Sequence, residues 1–127
     1  MKYIRTDKSP IPAGHYSQAT ISGGFVFVSG QLPIEPLSGK IGSSIADQTW
    51  QVLNNLENIL EASGSSLKHV IKSTIYISDI SLWGEVNRIY AERFGNHKPA
   101  RAVVPTRDLH FGCLIEIEAI AELASGS

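Results

Sequence analysis

With one cysteine in 127 residues, Cys113, the chain cannot form an intrachain disulfide, and a reducing compartment fits this usage. A zinc-type Cys/His spacing is also missing, because His15, His69, His97 and His110 are scattered and form no His-x-x-x-His pair. Long apolar runs are absent. No stretch approaches the roughly 18 apolar residues of a membrane span. The opening MKYIRTDKSP alternates charge with apolarity instead of building the apolar centre of a signal peptide. The expectation is a soluble, cytoplasmic protein with no membrane partner. Excess charge is lacking too: 11 Lys+Arg against 12 Asp+Glu give a formal net charge of -1, so no basic field gathers phosphates and nucleic acid is not an expected partner. Neither G-x-x-x-x-G-K-[ST] nor G-x-G-x-x-G occurs, which excludes the common phosphate loop and dinucleotide fingerprint.

The composition that is present, 43% hydrophobic and 18% charged with 11 Gly and 6 Pro, suits one compact domain spanning residues 1–127. Tyr16 to Ser22 and Phe25 to Ser29 are strand-like and meet at Gly23-Gly24, a two-residue hairpin turn. The unbroken apolar run from Phe25 to Val28 predicts cover on both faces of its strand, with another subunit as the second cover. Ser44 and Asp47 read as a capping box. Thr49, Trp50, Val52, Leu53, Leu56, Ile59 and Leu60 then recur at helical spacing as far as Gly64, with Asn54, Asn55, Glu57, Asn58 and Glu61 on the wet side. A strand from Val70 to Ile77, a second helix from Ser81 to Phe94, and strands Ala100 to Val104 and Cys113 to Leu123 complete a ββαβαββ order. This is an α+β fold, a mixed sheet with two helices on one face. In the last strand Ile115, Ile117 and Ala119 alternate with Glu116 and Glu118, so one face is apolar and the other carries carboxylates.

Few residues invite chemistry. Arg101 stands where a strand begins after Pro99, and it reads either as an edge-strand partner in a salt bridge or as a clamp whose planar fork matches a carboxylate. Glu116 and Glu118 read first as a solvated strand face, with a positioned base at an intersubunit cleft as the alternative. Cys113 reads as a small buried hydrophobe, and the histidines as surface or loop residues.

Pro99-Ala100-Arg101, with Glu116 fifteen positions after the arginine inside Ile115-Glu116-Ile117-Glu118-Ala119-Ile120-Ala121, resembles the signature of the reactive-intermediate deaminase family, Rid or YjgF. His15-Tyr16-Ser17-Gln18-Ala19, Ser29-Gly30-Gln31-Leu32-Pro33 and Val86-Asn87-x-x-Tyr90 match further family elements, in family order over essentially the whole chain. The resemblance implies a chorismate-mutase-like fold assembled as a homotrimer, with sheets inward, helices outward and clefts between subunits. It also implies hydrolysis of short-lived enamines and imines to 2-oxo acids and ammonia, with no cofactor.

On that resemblance Arg101 holds the substrate carboxylate and Glu116 positions or activates water. Tyr16 and Ser29 line the cleft, Gly30 allows close backbone approach, and Asn87 shapes a wall. Val103 stands where the best-known deaminating subgroup has cysteine; a role for the main-chain carbonyl survives that change, and a role for a thiol does not. His110, in Leu109-His110-Phe111-Gly112, is a loop residue that could reach the cleft rim. Two other readings remain: a non-catalytic module that binds a small carboxylate such as a 2-oxo acid, and a ribonuclease, which the near-neutral charge and lack of a histidine pair oppose.

Overall fold

The chain folds as β1 (Lys2–Ile4), β2 (Ala19–Ser22), β3 (Phe25–Gln31), α1 (Ile45–Ala62), β4 (Val70–Ile77), α2 (Trp83–Phe94), β5 (Ala100–Pro105) and β6 (Ile115–Glu122), in a computed structural model that describes residues 1–124. The strands make one six-stranded sheet in the order β1-β2-β3-β6-β4-β5. Only β4 and β5 run parallel, joined by α2 as the crossover such a pair needs. Val52, Leu53, Leu56, Ile59 and Leu60 of α1 and Val86, Ile89, Tyr90 and Phe94 of α2 share one core with Val26, Val28, Ile75, Ile77, Ile115 and Ile117 of the sheet. The architecture is the expected α+β arrangement, with both helices on one sheet face. No described helix is long and apolar enough to cross a membrane.

Local chemistry explains the element ends. Gly23 and Gly24 both have positive φ, 59° and 84°, as a hairpin turn matched to strand twist requires. Ser44 Oγ accepts the Asp47 N–H at 3.0 Å to cap α1, and Gly64, at φ 85°, reverses the chain after it. Asp79 caps a short 3-10 turn that leads into α2 by accepting the Ser81 N–H at 2.8 Å. The second helix therefore starts at Trp83 rather than Ser81.

Three further expectations change. Lys2–Ile4 is a strand, too short and too exposed to leave a burial pattern; its pairing with β2 defines it. The strand expected from Tyr16 begins only at Ala19, because Gln18 turns its amide onto the N-terminal segment. The Gln18 Nε2 group donates to Pro10 O at 2.9 Å and Thr6 O at 3.0 Å, and its Oε1 accepts the Thr6 N–H at 2.7 Å. Asn55 is buried rather than wet, since its Nδ2 donates to the carbonyls of Leu32 and Ile34, each at 3.0 Å. Phe25 to Val28, by contrast, has the helix-side cover expected of it: Val26 and Val28 are buried, while Phe25 and Phe27, on the face left for another subunit, remain 41% and 43% exposed within the chain.

Candidate active site

The β5 edge and the end of α2 shape one concavity. Asn87, Tyr90, Phe94, His97, Lys98 and Arg101 line a cavity of about 400 Å³. Trp83, Asn87 and Tyr90 fall at i, i+4 and i+7, so they share one helix face. The Arg101 guanidinium lies 4.8 Å from the centre of the Tyr90 ring and 5.8 Å from that of Trp83. Tyr90 is fixed in turn by a 2.7 Å hydrogen bond between its hydroxyl and that of Ser73, and by stacking on Phe94 at 4.3 Å. Among the described residues no carboxylate and no hydrogen-bond acceptor pairs with Arg101. The aromatic faces hold the guanidinium, and its N–H groups stay available for a planar anion.

A second cavity, of about 430 Å³, has Tyr16, Ser29, Gly30, His110, Phe111 and Glu116 in its lining. Here β3 is bulged between Val28 and Gln31 where it meets β6, and bulges re-aim backbone beside functional sites. Gly30 sits inside the bulge under Glu116, and a Cβ there would collide with Glu116 Oε2. Ser29 Oγ donates to Ser17 O at 2.6 Å, which ties the bulge to the segment carrying Tyr16. The Tyr16 hydroxyl accepts the Ala13 N–H at 3.3 Å, and the ring is half exposed. Burial pushes the Glu116 carboxyl above the ordinary carboxylate range, the Glu118 charge adds to the push, and His110 pulls part of the way back. A carboxylate raised in this way is a better base toward water.

The two cavities lie on opposite faces of the sheet. Glu116 pairs with Tyr76, which pairs with Val104; Arg101 pairs with Ser73, which pairs with Ala119. Residues opposed on neighbouring strands share a face. Arg101 therefore stands on the helix side and Glu116 on the open side. Of the residues singled out in the sequence, Tyr16, Ser29, Gly30 and Glu116 come together, and Asn87 comes together with Arg101. Val103 belongs to neither lining, for its side chain packs against the core. Glu118 turns aside to accept a 2.5 Å hydrogen bond from the Tyr76 hydroxyl.

Sequence reasoning did not find the Trp83 and Tyr90 support for Arg101, although their helical spacing with Asn87 was the available signal. Nor did it assign Asn55 and Gln18, whose buried amides hold the segments around the second cavity; single amides carry no pattern that distinguishes them from surface residues.

A family model described as Endoribonuclease L-PSP matches residues 6–123. A RutC family protein of Pyrococcus horikoshii is 50% identical over 119 residues, which cover 93% of this chain and 94% of the relative. The 2-iminobutanoate/2-iminopropanoate deaminase of Rattus norvegicus is 41% identical over 121 residues, 94% of this chain and 88% of that one. Among solved structures, E. coli TdcF with bound serine superposes with a TM-score of 0.94 at 35% identity, covering 98% of this chain and 100% of that chain. A match across this span, at these identities and with this backbone, shows that the chain belongs to the Rid (YjgF/RidA) family.

Proposed function

We propose that the chain is a hydrolytic deaminase of reactive enamines and imines, converting 2-aminoacrylate/2-iminopropanoate and 2-iminobutanoate to 2-oxo acids and ammonia in the cytoplasm. The observation that carries this reading is Arg101, a guanidinium gripped by two aromatic rings with no acid partner among the described residues. Such a group fits the carboxylate these substrates share. Glu116, raised in basicity by burial, supplies the base for water. An imine carbon is already electrophilic, so the site mainly has to hold water about 3 Å away and fix the substrate plane. No cofactor is required by that chemistry.

Because Arg101 and Glu116 leave opposite faces, this reading needs more than one copy of the chain. A homotrimer with Arg101, Asn87 and the Val103 backbone from one subunit, and Tyr16, Ser29, Gly30 and Glu116 from its neighbour, satisfies it. The exposed Phe25 and Phe27 offer apolar surface for such packing. Light scattering should then give about three times 13.8 kDa, and a stable, fully active monomer would defeat the shared cleft. The decisive assay couples the protein to a serine or threonine dehydratase and follows ammonia release from the fresh imine. No acceleration over the uncatalysed rate would reject the enzyme.

E. coli TdcF with bound serine favours a second reading, a non-catalytic module for small carboxylates. Arg101 serves both readings, whereas only the enzyme needs Glu116. The description Endoribonuclease L-PSP raises ribonuclease activity as a third, opposed by the net charge of -1. RNA degradation by stringently purified parent protein, lost in Arg101→Ala, would revive it.

A further inference from the structure

Beside Glu116, the second cavity carries an ionisable side chain to which the deaminase chemistry above assigns no task. His110 lines it, on a short 3-10 turn whose geometry is unusual. Phe111, at φ 59° and ψ 21°, is the one non-glycine residue with positive φ among those described, and Gly112 follows at φ 70°. An aromatic residue there is held against its own preference, and outliers of this kind concentrate at functional sites. The turn is tied down at each step. Gly112 N–H donates to Leu109 O at 3.2 Å, Cys113 N–H to His110 O at 3.2 Å, and Leu114 N–H to Gln48 Oε1 at 2.8 Å. The Phe111 ring meets the His110 imidazole edge-on at 4.2 Å, so the imidazole, exposed at the cavity mouth, has a ring to rest against.

Hydrolysis of an imine needs two proton movements at once, one away from water and one onto nitrogen. Glu116 provides for the first. We propose that His110 provides for the second, as the proton donor to the substrate nitrogen, an assignment that rests on the deaminase reading of this cavity. As the water oxygen bonds to carbon, Glu116 takes one of its protons. The C=N π pair moves to nitrogen, which takes a proton from the imidazolium, leaving a carbinolamine, a neutral imidazole and a carboxylic acid. Nitrogen then takes the Glu116 proton, the C–N bond breaks, and the hydroxyl proton passes to the imidazole as C=O forms. Ammonia and the 2-oxo acid leave, and both side chains are back in their starting states.

The other ionisable groups near this pair suit neither role. Glu118 is bonded to Tyr76, whose phenol is pushed up chiefly by that bond. The Cys113 thiol is pushed up by burial and by Glu116. Tyr16, the remaining group in the lining, is half exposed, and a phenol is a far weaker acid than an imidazolium. The electrostatic pull of His110 on Glu116 agrees with their shared cavity.

The test measures imine disappearance, trapped as semicarbazone, for parent, His110→Ala and His110→Gln across neutral pH, beside thermal melting and light scattering. The expected result is a kcat about 10²-fold lower in both variants, with KM within about two-fold and unchanged assembly. Added imidazole should restore several-fold activity to His110→Ala and none to the parent. Parent-like kcat in either variant, or a loss confined to KM, overturns the proton-donor role and leaves the deaminase reading standing. A parent that releases no ammonia from any imine overturns both.

Discussion

Arg93 and Arg101 are both held against aromatic rings, and everything else about them differs. Arg93 lies over Trp50 at 5.7 Å, donates to Asn54 Oδ1 at 2.7 Å and pairs with Glu57 at 2.9 Å. Its N–H edge is consumed in joining α2 to α1. Among the described residues Arg101 has the rings alone, at 4.8 and 5.8 Å. A guanidinium offers a face for stacking and an edge for hydrogen bonds. Where the protein uses both, the residue fastens structure; where it uses only the face, the edge is open, and the proposed reading gives it to the substrate carboxylate.

Exchanging the fates of these arginines gives the largest expected effect. Arg101→Ala should lower kcat/KM for 2-iminobutanoate by roughly 10² to 10³, from the loss of two charge-assisted bonds worth about 1.5–3 kcal/mol each, part of which solvent replaces. Its melting temperature should stay near the parent value. Arg93→Ala should do the reverse: full activity, with a stability loss of about 1 kcal/mol, since Glu57 is 38% exposed and the pair is screened. Circular dichroism melts beside the coupled assay measure both. An Arg101→Ala variant that melts early and hydrolyses normally would erase the distinction.

Glu116→Gln sharpens the comparison from the other cavity. Loss of the basic lone pairs should slow hydrolysis about 10²-fold, while binding of an unreactive 2-oxo acid, measured by calorimetry, changes little. Stability moves the other way. The folded pKa of Glu116 lies above its unfolded value, so the native state holds more protons than the unfolded state in the window between the two. Stability therefore falls as pH rises through that window. At neutral pH the glutamine variant should melt at or above the parent temperature, and the difference should vanish once pH drops below the ordinary carboxylate range. The parent's hydrolysis should fade as pH falls through the same raised window and Glu116 is protonated.

Tyr90 carries a smaller effect. Tyr90→Phe keeps the ring under Arg101 and loses the bond to Ser73; Tyr90→Leu loses the ring face. A cation–π contact is worth about 0.5–2 kcal/mol, so kcat/KM should fall about ten-fold in Tyr90→Leu and little in Tyr90→Phe, with thermal melts separating packing loss from misplacement of Arg101. Equal activity in the two variants would mean the ring does not aim the guanidinium.

The periodic parts of the chain are legible in the order of its residues. The apolar spacing of α1, the Gly23-Gly24 turn and the Ile115–Glu118 alternation each follow from local stereochemistry that this order displays. Arg101 and Glu116 stand out by residue type and by family resemblance. Their separation onto opposite faces does not, because parity depends on the β4–β5 and β4–β6 registers, a tertiary outcome. Asn55 misleads for a related reason: an amide on the polar side of a helix looks solvated until a loop, here Leu32 to Ile34, comes to lie on it. Phe111 gives no warning at all, since a positive φ at a bulky residue runs against its intrinsic preference.

The smallest effect is expected at Val103, where the resemblance implies cysteine in the best-known deaminating subgroup. Val103 pairs with Ile75 on the helix side of the sheet, and its side chain packs against the core. Any part it plays at the proposed cleft falls to its backbone, on an edge strand whose outer groups have no strand partner among the described residues. Cysteine is smaller than valine and comparably apolar, so Val103→Cys should cost roughly 1 kcal/mol of packing. Rates on 2-iminobutanoate and 2-iminopropanoate should change by a few-fold at most. Thiol reagents should leave the parent active, because its one cysteine, Cys113, is buried with its thiol pushed up. A rise in rate of ten-fold or more in Val103→Cys, abolished by alkylation, would show that a thiol does chemistry at this position and that the parent is tuned to a different substrate.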